Sequence, residues 1–211
     1  MRTKILGTFT AGLLFAGAGV CGSDPSWLVR LRAIDVAPDA SSSTISLIGG
    51  NVTKISDQGT GELDFSYFYN SNIAAELILA TTRHSVQATN TALGTVDLGK
   101  VSVLPPTLTA QYHVHLTDAI KPYIGAGINY THFYNVNHGP VATSISYEDS
   151  FGPALQIGTD IALNDQWSIN VDVKKIWIES DVVVYTQNAQ LTTTAKVNPW
   201  VFGAGVGYRF G

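Results

Sequence analysis

Residues 200–210 read WVFGAGVGYRF, and their side chains alternate without a break. Trp200, Phe202, Ala204, Val206, Tyr208 and Phe210 form one face, and Val201, Gly203, Gly205, Gly207 and Arg209 form the other. Alternation with period two is the signature of a strand. The same period organises eight segments, at about 27–36, 63–69, 73–81, 107–116, 121–133, 150–163, 167–183 and 199–210. No helical periodicity is sustained beyond the N-terminal leader.

The connections are as informative as the strands. NSN (70–72), TDAI (117–120) and NDQ (164–166) are short polar turns. The other four, about 37–62, 82–106, 134–149 and 184–198, are long and rich in Ser, Thr, Asn and Gly. Long and short alternate strictly. An all-β, eight-stranded antiparallel up-and-down meander therefore carries its long loops at one end and both termini at the other. That is the layout of a transmembrane β-barrel of the bacterial outer membrane, with the N- and C-termini periplasmic.

A soluble barrel hides its apolar face inside, whereas a narrow membrane barrel turns it outward. The sequence offers Trp27, Val29, Leu31 and Ala33 against Arg30 and Arg32, and Leu63, Phe65, Tyr67 and Tyr69 against Asp64 and Ser66. It offers Leu108, Ala110, Tyr112 and Val114 against Thr109, Gln111, His113 and His115, and Trp167, Ile169, Val171 and Val173 against Ser168, Asn170, Asp172 and Lys174. Eleven residues at ~3.3 Å, tilted by ~40°, rise roughly 28 Å, which spans the ~25 Å apolar band of such a barrel. The alternation falters at KKIW (174–177), where Lys175 would face lipid. A bulge, or a strand rising above the bilayer, would resolve it, and the facing of 175–178 stays open.

The inward charges expected from this pattern are Arg30, Arg32, Lys174 and Arg209 against Asp64, Glu76, Asp160 and Asp172. All but Lys174 fall in the half nearer the short turns, which predicts a periplasmic-side ion-paired plug, with Gly203, Gly205 and Gly207 leaving room for long side chains. Such a plug is also how a barrel this narrow fills its core. Toward the long loops the inward positions turn apolar: Ile34, Val36, Ile78, Phe133, Ile176, Ile178 and Val201. They read either as a packed interior or as a bore for a small hydrophobic molecule arriving from outside.

Composition narrows the classes. A formal charge of −4 with 13% charged residues lacks the basic footprint of a nucleic-acid binder, so no nucleic-acid partner is expected. The mature part has no apolar run of the ~20 residues that a membrane helix needs. MRTK followed by ILGTFTAGLLFAGAGV reads as a secretory signal peptide within 1–22, cleaved after Ala18 or Gly22, leaving 23–211 as the barrel. The single cysteine, Cys21, lies at this boundary behind Val20, a poor residue before a lipidated cysteine. No cofactor or metal is expected: His113 and His115 share a face without a third ligand in view. A barrel enzyme acting on lipid would use a rim pair such as His84–Ser85, with His138 nearby, but no nucleophile motif accompanies them. Use of the long loops in adhesion or as a receptor fits any such barrel.

Five stretches, NIAAELILATT (72–82), LPPTLTAQY (104–112), KPYIGAGINYTHFY (121–134), DSFGPALQIGTD (149–160) and NPWVFGAGVGYRF (198–210), together resemble the OmpW family of outer-membrane proteins. The resemblance implies a narrow hydrophobic channel closed toward the periplasm, passive uptake of small hydrophobic solutes, and sideways release into outer-membrane lipid. It gives Pro105 and Pro106 a meaning: lacking N–H groups, they interrupt the ladder at the outer rim and mark either a loop end or a lateral opening between the third and fourth segments. The terminal YRF resembles the signal by which barrel-insertion machinery recognises a C-terminal strand. Lys174 and the trailing Gly211 depart from the family pattern.

Overall fold

The computed structural model describes residues 25–210. The leader, with Cys21 and both cleavage points, and Gly211 lie outside the described residues. In chain order the strands are β1 (Ser26–Ala37), β2 (Ser41–Ser42), β3 (Asn51–Ile55), β4 (Gln58–Phe68), β5 (Ile73–Ala80), β6 (Thr82–Thr91), β7 (Gly94–Leu104) and β8 (Thr107–His113). They continue as β9 (Ile120–His138), β10 (Ser144–Tyr147), β11 (Ser150–Ala162), β12 (Trp167–Ile176), β13 (Glu179–Tyr185), β14 (Gln190–Lys196) and β15 (Trp200–Phe210).

Eight of these close the barrel in the order β1-β4-β5-β8-β9-β11-β12-β15, each antiparallel to the next, and β15 returns to β1 from Trp27↔Phe210 to Ala37↔Trp200. The three short turns satisfy their own backbone. Asn70 Oδ1 accepts from the N–H groups of Asn72 (2.9 Å) and Ile73 (2.8 Å), and Asn164 Oδ1 accepts from Gln166 (3.0 Å) and Trp167 (2.8 Å). Thr117 Oγ1 accepts from Ile120 N–H at 2.9 Å. These side-chain-capped turns need no partner and stay tight.

The long connections are not irregular. The β6–β7 hairpin pairs through β7 with the upper part of β9, and β3 pairs with β6. On the opposite side β10, β13, β14 and β2 form a separate four-stranded sheet. The wall thus continues above the bilayer-spanning strands as a second tier, and its side chains reverse sense. In the lower tier Leu31, Ile124, Val171 and Phe202 point outward and polar residues inward. In the upper tier Val86, Val96, Leu98, Val101, Val182, Val184 and Leu191 are buried in one cluster, while Thr95 and Asp97 face out.

The KKIW stretch is resolved by this change of tier. Lys174 is buried, Lys175 points outward, and Ile176 and Ile178 are buried, so the alternation holds without a bulge. Lys175 Nζ donates to the Asn198 carbonyl at 2.7 Å and lies 4.8 Å from the Trp200 ring centroid, as expected of an amphipathic side chain at a membrane boundary. The segment expected as one strand over 167–183 is two, with β13 joining the upper sheet.

Candidate functional site: an apolar chamber above a charged floor

Halfway up β1, Arg30 and Arg32 point into a barrel too narrow to hold water around them, and each guanidinium is met by acids from facing strands. Arg30 holds Asp160 with two bonds (Nε to Oδ1, 3.0 Å; Nη2 to Oδ2, 2.6 Å), while Nη1 reaches Glu76 Oε1 and Ser66 Oγ, both at 2.7 Å. Arg32 Nη1 meets Glu62 Oε1 at 2.9 Å and Asp64 Oδ2 at 2.8 Å, and its Nε donates to Asn170 Oδ1 at 2.7 Å. Lys174 Nζ bridges Glu62 Oε1 and Asp172 Oδ1, each at 2.6 Å.

Amides complete the mesh. Gln156 Nε2 donates to Glu76 Oε2 and Asp172 Oδ2, both at 2.8 Å, and Gln111 Nε2 to Glu76 Oε2 at 2.6 Å. Tyr123, buried at the centre, donates to Asp172 Oδ2 at 3.0 Å. Bidentate, charge-assisted bonds of this kind offset the desolvation that burying each charge costs.

Two expectations about this floor are corrected. Arg209 takes no ion pair among the described residues: being near the strand end, its guanidinium reaches the Ser26 hydroxyl (2.9 Å) and lies over the Phe68 ring at 4.1 Å. Glu62, assigned by pattern to a loop, sits in β4 and ties Arg32 to Lys174. The network therefore comprises Arg30, Arg32 and Lys174 against Glu62, Asp64, Glu76, Asp160 and Asp172. With Lys174 and Glu62 it reaches mid-barrel. Gly203 and Gly207 face it as the sequence led one to expect: a Cβ at Gly203 would sit 3.3 Å from Arg32 Cδ, and one at Gly207 3.4 Å from Arg30 Cγ.

Above the floor lies a cavity of about 70 Å³, room for a few water volumes. Ile34, Val36, Ile78, Phe133, Ile176, Ile178 and Val201 all line it, with Glu62 at its base. The upper tier adds Val86, Leu98, Val101 and Val182, so the extensions carry the apolar wall upward. Below the network a polar recess lined by Asp118, Lys121, Asp165 and Arg209 opens at the short-turn end. The two cavities share no lining residue.

Pro105 and Pro106 join β7 to β8 beside this chamber. Ladder pairing between β5 and β8 ends at Ile78↔Thr107, and pairing resumes only at Thr82↔Val103 between β6 and β7. Residues 79–81 therefore face 104–106 across a break, and Ala80 and Pro105 both line the cavity. Asn129 pins the far side, its Nδ2 donating to the carbonyls of Pro105 (3.1 Å) and Pro106 (3.3 Å).

The histidines considered as chemical groups are dispersed. His113 is buried against Phe68 and Tyr123, whereas His115 lies exposed beyond the end of β8. His84 points into the chamber while Ser85, its neighbour on the strand, points away, so the pair expected for a rim enzyme occupies opposite faces. His138 is exposed at the end of β9.

Comparison with known proteins agrees with this architecture. The chain matches the OmpW family over residues 24–210. An uncharacterized outer-membrane protein of Sinorhizobium fredii is 42% identical over 196 residues, covering 92% of this chain and 84% of its own length. A protein of a dibenzothiophene metabolism operon in Pseudomonas aeruginosa is 27% identical over 189 residues, 87% of this chain and 88% of the relative. The crystal structure of the outer-membrane protein OprG from Pseudomonas aeruginosa matches with a TM-score of 0.81 at 27% identity, covering 90% of this chain and 97% of that one.

Proposed function

The chain belongs to the OmpW family and lies in the bacterial outer membrane, and from there we propose that it admits small apolar molecules passively from outside and releases them sideways into the bilayer. The observation that carries this reading is the apolar chamber seated on an ion-paired floor beside a break in the strand ladder. An apolar solute gains about 25 cal/mol for each Å² removed from water, and no energy source is required. The chamber as it stands is small, so passage needs Phe133 and the isoleucines around it to part. Descent is blocked, because opening the floor would separate buried charges from their partners at several kcal/mol each. The break between residues 79–81 and 104–106 is the remaining way out. The dibenzothiophene-operon relative supports an apolar aromatic or similar cargo. Recognition by barrel-insertion machinery is assigned to the C-terminal strand ending in Tyr208, Arg209 and Phe210.

The test is uptake of labelled n-undecane by cells lacking the protein and by cells carrying it. Protein-dependent uptake is expected, and equal rates would sink the reading. Cross-linking β5 to the 105–106 segment should then abolish the protein-dependent rate; continued uptake would rule out that exit.

A further inference from the structure

The chamber wall is mostly apolar, and a short polar seam on β6, Thr82 and His84, has a direction. His84 is buried, and its Nδ1 lies 2.7 Å from the carbonyl oxygen of Ser56. A carbonyl can only accept, so Nδ1 carries the proton. Burial, the largest influence on His84, pushes its pKa below the ordinary value of 6.5, against the smaller pull of the Ser56 carbonyl and Asp57. The ring is therefore neutral at neutral pH, and its Nε2 is an acceptor.

The neighbour of Nε2 is the Thr82 hydroxyl, 2.9 Å away, which must donate to it. Thr82 has then spent its only hydrogen and keeps its lone pairs. The far end of the relay is clamped, because Ser56 N–H donates to the Ser85 carbonyl (3.2 Å) and Ser85 N–H to Ser56 Oγ (3.0 Å). Thr82 and His84 both line the cavity. Two further polar side chains of the wall are engaged, and Tyr147 of β10 adds a phenol to the lining. Thr107 donates to the Pro105 carbonyl (3.0 Å) and accepts from Asn129 (2.8 Å), and Ser180 donates to the Glu148 carbonyl (2.6 Å).

We propose that Thr82 is an acceptor station, oriented by His84, that selects apolar molecules bearing one hydrogen-bond donor, such as long-chain or cyclic alcohols, over ethers and hydrocarbons of the same size. This rests on the uptake reading above and adds a specificity to it. The directional relay does the selecting. An alcohol can donate to Thr82 Oγ1, an ether oxygen meets only lone pairs there, and a hydrocarbon makes no bond.

Three probes of matched length, decan-1-ol, methyl nonyl ether and n-undecane, test it as initial uptake rates against concentration in cells carrying the full-length protein. The Thr82→Val variant should raise the half-saturating concentration of the alcohol by about two- to tenfold, the worth of one hydrogen bond, and leave the ether and the alkane unchanged. Thr82→Ser should retain the preference. His84→Phe, by freeing the Thr82 hydrogen, should narrow the gap between ether and alcohol. Resistance of the folded barrel to heating in detergent checks that each variant is intact. Protein-dependent uptake with no preference among the three probes overturns the station and leaves the uptake reading standing. Equal weakening of all three probes in folded Thr82→Val also overturns it, by making Thr82 a structural residue. Loss of protein-dependent uptake for every probe in the wild type is the distinct outcome that removes both.

Discussion

Arg30 has no solvent exposure, so its donors must be spent on the protein, and four hydrogen bonds to Asp160, Glu76 and Ser66 use four of its five N–H groups. Removing it leaves two carboxylates buried without their main cation, which costs far more than the pair contributes net. Arg30→Ala is expected to destabilise the folded barrel by about 3–5 kcal/mol in denaturant unfolding from lipid vesicles. A loss below about 1 kcal/mol would show that the mesh repairs itself around the gap. Most of this cluster was legible as inward polar positions between outward apolar ones. Glu62 was not, because Gly59, Thr60 and Gly61 before it read as loop. Nor could alternation alone tell that Arg209, though on the inward face, would end on the Phe68 ring rather than in an ion pair of the floor. Facing follows from period; reach depends on the length of the side chain and on what the next strand presents.

At the scale of elements, β9 and β11 meet through Tyr123 and Gly158, which are paired across the ladder. A Cβ at Gly158 would stand 2.5 Å from the Tyr123 ring, and that ring holds Asp172 in the floor. Gly158→Ala should therefore cost about 1–3 kcal/mol through overpacking. Gly61→Ala, with nothing within 4 Å of the added carbon, should change little. Unfolding midpoints of the two variants compare them directly, and equal values would mean that Tyr123 is free to shift. The eight bilayer strands were legible because each carries an unbroken apolar face and a turn residue at its lower end. The upper strands were not. Their alternation is short, their outward side chains are mostly polar or charged, such as Thr95, Asp97, Glu179 and Thr192, and such stretches look like loops until pairing is seen. The same blindness hid the division between β12 and β13, since Ile176, Trp177 and Ile178 belong to a wall whose surroundings change partway along it.

The whole molecule is governed by that change of surroundings. Below the rim the outward face meets lipid, and above it the outward face meets water. A charge added outside therefore has a cost set by height. Val171→Arg, in the middle of β12, should destabilise by about 2–4 kcal/mol. Thr95→Arg, outward on β7, should stay within about 0.5 kcal/mol. Unfolding free energies in vesicles measure both, and similar costs would contradict the placement of the bilayer around β12. The strict alternation of short and long connections made the barrel and its orientation legible from sequence. Its extension upward was invisible, because the polarity rule that identified the lower tier is inverted in the upper one.

That inversion gives the two tiers different thermodynamics. The upper cluster of Val86, Leu98, Val101 and Val184 is held by the hydrophobic effect, which near room temperature is entropic and fades on cooling. The lower tier has hydrocarbon outside it and owes its cohesion to backbone ladders and charge-assisted bonds that water does not contest. Cooling thus loosens the mouth while the body stays firm, so that the aperture takes its thermal response from the water above and its anchorage from the lipid below.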